Sequence, residues 1–521
     1  MKKKTTSNSE NKLYYGDNLE VLRKYINTET IDLCYIDPPF NSKRNYNQIY
    51  NNIGKEDKAQ AQAFVDTWVW DDEAVRGYNE IITNSGNRFT KQSIKLLSGL
   101  EGVLGQGSLL AYLVSMTLRI AEIHRVLKPT GSFYFHCDPT SSHYLKLVID
   151  SVFCPTGGDF KNEIIWSYDK WTAPSNYQFQ RNHDVVFFYA KKDAHINIIK
   201  EITDNLKEKY KKGYLIGGGG GSRGLVVYDE NNTKVKELIE SGNYDPVYAK
   251  KEGKPISDVW RIPFINPSAK ERLGYPTQKP EALLERIIEA STNKGDLVLD
   301  AYCGCGTTIA VAQRLQRKWV GIDITYQSIS LILRRLMKAF GNKIMDKVIL
   351  NGVPEDIESA IALANKKDDR IRKEFEKWAV LTYSDNHATI NEKKGGDGGI
   401  DGTAFMADYD DENKQVIKDV LFSVKSGKNP NIDTLRAFSA VIDKEKAALG
   451  YYITLYPMPN LVKESKKFGT YKSKMFDKLL PKITVVTIEE ILKGARIDLP
   501  QPIEVVKNAE AKTDTNQITL F

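Results

Sequence analysis

An α/β fold built on a mixed, mostly parallel sheet is predicted by three features of this 521-residue chain. Short β-favouring apolar runs alternate with amphipathic helical segments long enough to cross back over a sheet. Two of the runs end in abrupt turns, at Asp37-Pro38-Pro39-Phe40 and at Asp300-Ala301-Tyr302-Cys303-Gly304-Cys305-Gly306-Thr307-Thr308. The second turn opens a helix that leads to a strand ending in Asp323, the Rossmann-like order of strand, glycine turn, helix, strand and acid.

Composition sets the bounds. With 41% hydrophobic and 27% charged residues the chain is ordinary for globular protein, and its length suits two or three domains. A net charge of +7 permits an anionic partner without proving one. Five cysteines, an odd number, argue against a disulfide framework and for a reducing compartment. Residues 1–10 are polar, and no apolar run approaches the roughly 20 residues that span a bilayer. A cytoplasmic protein with no membrane partner is expected.

Taken in order, residues 13–22 read as a strand end, a tight turn and a helix start. Asp17 is placed either to cap that helix or to bond a ligand's amino group at the sheet edge. Residues 31–36 read as a buried strand stopped by two prolines. Pro38 forces Asp37 into an extended conformation, and the prolines leave no N–H to continue a ladder. The hook offers a carboxylate, a free carbonyl and an aromatic face. It suits an exocyclic amino group held by Asp37 and the Pro38 carbonyl, with Phe40 stacked on the ring; the plainer alternative is a strand followed by a proline turn.

Residues 41–107 read as a helical insertion, with amphipathic helices at 64–71 and 93–100. A long helix at 109–127 is stopped by Lys128-Pro129-Thr130-Gly131. A strand at 132–136 follows, then Cys137-Asp138-Pro139-Thr140 opens another helix. His136, Cys137 and Asp138 lack the spacing of a zinc site. Strands are expected at 162–167 and 184–189. The loop between them, Trp171 to His183, carries aromatics and amides useful for stacking on bases and reading their edges. A lysine-rich stretch at 190–254 holds the glycines 217–221, either a flexible loop or a phosphate approach.

Thr277-Gln278-Lys279-Pro280 precedes a helix at 281–292, and the glycine turn follows. Gly304 and Gly306 let a ligand approach the backbone, and Asp323 is placed to grip ribose hydroxyls. No P-loop lysine follows, which excludes triphosphate hydrolysis. Asp300 repels a pyrophosphate but suits a cationic amino-acid moiety. Adenosine combined with such a moiety is S-adenosylmethionine. Cys303 and Cys305 read as small residues filling a tight turn rather than a metal pair. Hook and turn together describe methylation of an amino group, by alignment and electrostatics without metal or covalent intermediate.

The order of these motifs resembles the β-class DNA amino-methyltransferases, near those of Type III-like modification enzymes, over residues 13–343. The resemblance rests on Asp37-Pro38-Pro39-Phe40, on residues 127–132 through His136-Cys137-Asp138-Pro139-Thr140, on Tyr275-Pro276-Thr277-Gln278-Lys279-Pro280, and on the turn from Asp300 to Thr308. It implies the methyltransferase fold in permuted order and S-adenosyl-L-methionine as cofactor. It also implies transfer to adenine N6 in flipped-out bases of double-stranded DNA, with cytosine N4 as the alternative. By the same resemblance Asp17 contacts the cofactor's adenine, while Gln278, Lys279 and Pro280 line its pocket. Tyr302 and Thr307 flank the cofactor, and residues 162–266 recognise the target. The family more often has His at Tyr275 and Pro-Phe at Ala301-Tyr302; Tyr302 keeps the aromatic.

The implied division is a catalytic part at 1–161, recognition at 162–266, a cofactor part at 267–350 and a linker at 351–372. A second α/β unit covers 373–500, and a tail 501–521. The second unit resembles Mrr-like restriction-endonuclease domains in Gly398-Gly399-Ile400-Asp401-Gly402 and Val424-Lys425. Asp401 would bind Mg²⁺ and Lys425 position water or phosphate. Ser423 stands where those nucleases carry Glu or Gln, which favours a nonhydrolysing DNA-binding remnant over an active nuclease. A bifunctional modification–cleavage enzyme and a non-catalytic DNA-binding subunit are the competing readings. A restriction subunit or a homodimer partner is compatible with each.

Overall fold

Strand alternation at residues 31–36 decides how the centre of the molecule is built. In a computed structural model of the chain, Leu33 and Tyr35 face one apolar cluster while Cys34 and Ile36 face another, so this strand is covered on both sides. The structure describes residues 11–499 apart from 40–43, 49–50, 53–54, 57–60, 67, 170–176, 178, 203, 218–222, 250–252, 267, 276, 366–368, 386, 392–398 and 428–429. Phe40, Pro276, most of the Trp171 loop, four of the glycines 217–221 and the tail beyond 499 therefore lie outside the described residues.

The large sheet has nine strands: β1 (Asn11–Tyr15), β2 (Ile31–Ile36), β3 (Leu127–Cys137), β4 (Asp159–Ser167), β5 (His183–Ala190), β6 (Val259–Arg261), β7 (Leu297–Asp300), β8 (Lys318–Asp323) and β9 (Val348–Asn351). Their spatial order is β6-β4-β5-β3-β2-β7-β8-β1-β9, and only β5 runs antiparallel to its two neighbours. This is the mixed, mostly parallel sheet expected. Helices α1 (Asn18–Tyr25), α4 (Ser108–Val126) and α5 (Ser142–Phe153) contribute buried side chains to one cluster. On the other face lie α6 (Glu281–Ser291), α7 (Thr307–Arg314) and α8 (Tyr326–Phe340). The numbers α2 and α3 belong to Asp72–Thr83 and Lys91–Leu104.

Two expectations need correction. Residues 64–66 are not helical: Ala61–Asp66 pairs antiparallel with Arg44–Gln48, and α2 begins only after its Asp71 cap. Phe64 and Val65 favour strands, and the two tryptophans beyond dock separately, Trp68 on Tyr112 and Trp70 on Tyr78. The run Lys128-Pro129-Thr130-Gly131 does not separate helix from strand, because β3 starts at Leu127. A register shift between Ile31 and Leu33 absorbs those residues as a bulge, and Lys128 reaches Asp32 at 2.7 Å. The 162–266 stretch contributes strands to the central sheet. It supplies β5, β6 and most of β4, leaving residues 191–258, with their own three-stranded sheet, outside it.

Beyond β9 a five-stranded sheet forms from β10 (Thr389–Ile390), β11 (Gly402–Tyr409), β12 (Gln415–Lys425), β13 (Leu449–Thr454) and β14 (Ile483–Thr487), in that order. Helix α9 (Asp369–Tyr383) joins the two sheets. Its Phe375, Trp378 and Ala379 share one buried cluster with Ile329, Ile332 and Leu336 of α8. No helix among the described residues is long and apolar enough to cross a membrane.

Candidate active site

Parallel register brings four acids to one edge. Tyr35 of β2 lies opposite Asp300 of β7, Asp300 opposite Gly321 of β8, and Asp323 of β8 opposite Tyr15 of β1. The carboxyl ends of these strands therefore coincide, and Asp17, Asp37, Asp300 and Asp323 follow or end them. Asp37 and Asp300 stand on adjacent strands, whose spacing is about 4.8 Å. This is where open α/β sheets place their ligands.

Asp37 is only 16% exposed at its side chain, and its two oxygens differ. Oδ2 accepts from Lys279 Nζ at 2.5 Å. Oδ1 is buried with no hydrogen-bond partner among the described residues, 3.6 Å from Nδ1 of the buried His136. A buried acceptor of this kind costs roughly 1–3 kcal/mol unless something donates to it. Pro38 is buried and Pro39 half-buried behind it.

The glycine turn is held largely by Asp323. Its Oδ2 accepts from Gly304 N at 2.9 Å and its Oδ1 from Thr325 N at 2.9 Å. Burial lifts its carboxyl to about 6 against these hydrogen bonds. Asp300 is 3% exposed and accepts from Tyr302 N at 3.0 Å. Burial raises its carboxyl to about 7, with the charges of Asp37 and Asp323 adding to the effect. Gly304 and Gly306 both have positive φ, +47° and +73°. The reason differs from the expected ligand approach at Gly306, where a Cβ would lie 2.6 Å from Ile332 Cγ1. At Gly304 it would meet the Tyr275 ring at 3.4 Å. Cys303 and Cys305 are buried thiols within the turn, and Cys305 Sγ lies 3.6 Å from the Thr307 hydroxyl.

Other predicted residues serve the site through neighbours. Asp17 caps α1 by accepting from Glu20 N at 3.1 Å, and its second oxygen takes Arg119 Nη2 at 2.8 Å. Arg119 Nε also donates to Asn18 Oδ1 at 2.6 Å, and Asn18 Nδ2 donates to the Ala301 carbonyl at 2.8 Å. That chain ties the first strand's turn to the glycine turn beside Tyr302. Gln278 staples the preceding loop, accepting from Leu273 N at 2.8 Å and donating to the Glu271 carbonyl at 2.6 Å. Pro280 caps α6. Thr277, just before Gln278, holds φ +61°, a strained value for a β-branched residue. Thr307 is fixed by the buried Arg335, which bonds its hydroxyl at 3.1 Å and Glu281 at 2.7 Å.

Sequence reading missed Arg119, Arg335, Asp184 and the role of His136 at this edge. Arg119 and Arg335 left a usable signal, each a charged residue set within a largely apolar helix. Asp184 left none, because nothing local says that β5 inserts beside β3.

In the second unit, Asp401 precedes β11 and its Oδ2 accepts from Val424 N at 2.6 Å, one residue before Lys425. Ser423 turns its hydroxyl to the Gly399 carbonyl at 2.8 Å. Glu376 of α9, not singled out in the sequence, joins them; burial and then the Asp401 charge push its carboxyl up to about 7. No group of three or more His, Cys, Asp or Glu side chains among the described residues is placed to hold a metal ion.

Comparison with known proteins bears on the first site. The chain is 29% identical over 330 residues to the DNA adenine methyltransferase YhdJ of Escherichia coli (strain K12), covering 63% of this chain and 83% of that protein. It is 26% identical over 274 residues to the Type II methyltransferase M.HpaI of Haemophilus parainfluenzae, covering 53% and 72%. It is 24% identical over 359 residues to the Type III restriction-modification enzyme StyLTI Mod subunit of Salmonella typhimurium, covering 60% and 51%. A family model described as DNA methylase matches residues 31–334, from the first residue of β2 through the hook, the glycine turn and most of α8. The chain belongs to that DNA methylase family.

Proposed function

We propose that the protein is a site-specific DNA methyltransferase that moves a methyl group from S-adenosylmethionine to adenine N6 in duplex DNA. The observation that carries this reading is the Tyr35–Asp300 register. It sets the proline-stiffened acid Asp37 and the buried acid of the glycine turn at the same edge of the sheet, on neighbouring strand ends.

S-adenosylmethionine supplies a methyl group already activated on a sulfonium. The residues present fit such a ligand: Asp300, held up to about 7 by burial and neighbouring charge, is an acid that gains from a cation. Asp300, Tyr302, Gly304 and Asp323 would hold the cofactor. Asp17, Gly306, Gln278, Pro280 and Thr307 shape that pocket through the contacts above. Lys279 engages Asp37 Oδ2 and so leaves Oδ1, the buried acceptor, for one amino N–H of a flipped base. The Pro38 carbonyl takes the other. An amino lone pair is delocalised into the ring, and two acceptors turn the N–H bonds out of plane and disperse the positive charge developing on nitrogen. Flipping costs a few kcal/mol, and stacking on an aromatic such as Phe40 offsets part of it.

Residues 191–258 are the segment best placed to read the target, since they leave the sheet at β5 and return at β6. For the second unit we favour a DNA-binding nuclease relic: Ser423 hydrogen-bonds the chain instead of offering a carboxylate. A restriction subunit is the partner suggested by the Type III relative's name, and residence in the cytoplasm follows from the chromosomal substrate.

The test is direct. Purified protein with labelled cofactor should methylate DNA, nucleoside mass spectrometry should find N6-methyladenine, and Asp37→Ala should lose transfer by at least about 100-fold. N4-methylcytosine instead would move the target base. Equal transfer by Asp37→Ala would remove the mechanism, and Mg²⁺-dependent cutting would overturn the relic assignment.

A further inference from the structure

The sheet buries an acid–imidazole pair directly behind Asp37, and alignment of base and cofactor alone gives it no task. His136 sits near the end of β3, wholly buried. Its Nε2 lies 3.3 Å from Asp184 Oδ2 on β5. Its Nδ1 lies 2.9 Å from the Tyr35 hydroxyl and 3.6 Å from Asp37 Oδ1, both from β2. Tyr168, just past β4, donates to the other oxygen of Asp184 at 3.3 Å, and Trp166 of β4 stands edge-on to the imidazole. Lys279 reaches the far oxygen of Asp37 from the segment before α6. Among the described residues, the titratable groups around the ring include Tyr35, Asp37, Tyr168, Asp184 and Lys279.

Methylating an amino group leaves one proton too many on nitrogen. We propose that His136 receives that proton through Asp37, with Asp184 fixing the imidazole tautomer and holding the imidazolium. This rests on the methyltransferase reading above. The nitrogen's electron pair forms the new C–N bond while the C–S pair returns to sulfur as a neutral thioether. The surplus N–H proton passes to Asp37 Oδ1, and then from that oxygen to Nδ1 as the Tyr35 hydroxyl rotates aside. Nε2–H donating to Asp184 is what leaves Nδ1 with a lone pair for the task. Asp184 stays ionised: burial works against it, but hydrogen bonds from His136 and Tyr168 and the Lys279 charge hold its carboxyl below the usual range. The resulting imidazolium lies between two carboxylates, Asp184 at 3.3 Å and Asp37 at 3.6 Å. His136 is a positioning and relay residue, since it touches the reacting atoms only through Asp37.

Full-length wild type, His136→Asn and Asp184→Asn would be compared in single-turnover transfer of labelled methyl to unmethylated chromosomal DNA, from about pH 5 to 9. Cofactor affinity by calorimetry and the unfolding midpoint are read in parallel. The relay predicts an acid limb in wild type, where a pre-protonated imidazole cannot accept. His136→Asn should cut the rate roughly 100-fold with cofactor affinity unchanged, and lose that limb. Asp184→Asn should move the limb to lower pH, because removing an anion makes the imidazole less basic. Imidazole ¹⁵N shifts of the ligand-free protein should show the proton on Nε2. A folded His136→Asn with the wild-type rate and limb overturns the relay, as does a limb unmoved in Asp184→Asn or a proton found on Nδ1. Absence of transfer by wild type would instead overturn the reading beneath it.

Discussion

Replacing Asp300 with asparagine should stabilise the empty protein and disable it. Asp300 is 3% exposed, so solvent screens it little. Burial, helped by Asp37 and Asp323, lifts its carboxyl from 3.8 to about 7. A folded-state value above the unfolded one means the folded chain resists ionisation. Stability from this group is complete below about pH 4 and is lost as pH rises towards 7. The gap is worth roughly 4 kcal/mol at 1.36 kcal/mol for each pH unit. Asparagine keeps an oxygen for Tyr302 N and carries no charge, so it escapes the penalty. Ligand-free Asp300→Asn should therefore gain up to about 4 kcal/mol over wild type at pH 8 and nothing near pH 4, read as denaturant or thermal midpoints. It should also bind S-adenosylmethionine at least about 100-fold more weakly, because the cation loses its partner. Wild type binding the cofactor between about pH 6 and 7 should release a proton, seen calorimetrically as a dependence on buffer ionisation enthalpy. A variant no more stable than wild type at pH 8 would refute the reasoning.

Two further substitutions test the scaffold. Gly306→Ala places a Cβ 2.6 Å from Ile332 Cγ1 at φ +73° and should cost about 2–4 kcal/mol in unfolding free energy; adding Ile332→Ala should recover at least about 1 kcal/mol in a double-mutant cycle, whereas strict additivity would deny the contact. Glu374→Ala removes the acceptor for Tyr326 N at 3.0 Å and for the Tyr15 hydroxyl. It should lower the unfolding free energy by roughly 1–3 kcal/mol, with cofactor affinity falling more than DNA affinity in parallel titrations.

The sheet and the hook were legible because their signals are local. Two prolines after residues 31–36 stop a strand whatever surrounds it, and a glycine turn before α7 demands positive φ within a few residues. The strand at Ala61–Asp66 was not legible: a short run with Phe64 and Val65 fits either period, and its partner Arg44–Gln48 decides it. Sheet membership was hidden for a related reason. Strands β4 and β5 read correctly as strands, but membership of the central sheet depends on pairing with β3. The same blindness hid Asp184, which meets His136 only because β5 lies beside β3. Asp17 and Asp323 illustrate a subtler limit. Asp323 was expected to bind a ligand and Asp17 either to cap a helix or to bind one, and their bonds within the chain include Arg119 and Glu20 N for Asp17 and Gly304 N and Thr325 for Asp323. Sequence placed these acids at the edge, yet could not say how much of each carboxylate the chain itself consumes.

Strand order also fixes which neighbour can influence which step. Residues 191–258 join the sheet at β5 and β6, on the far side of β3 from the glycine turn. The second unit attaches at the opposite end: α9 buries Phe375 and Trp378 in the cluster containing Ile332 of α8, and Glu374 bonds Tyr326 N at that helix's first residue. Tyr326 is three residues past Asp323, whose carboxylate holds Gly304, and Ile332 is the side chain that keeps Gly306 bare. Displacing α9 would thus disturb the cofactor turn through two short connections, while Asp37 and His136 lie across β7 and β2. The second unit's mechanical hold is thus on the half of the sheet that carries the glycine turn. A chain cut after residue 365 should lose cofactor affinity even where base recognition is untouched.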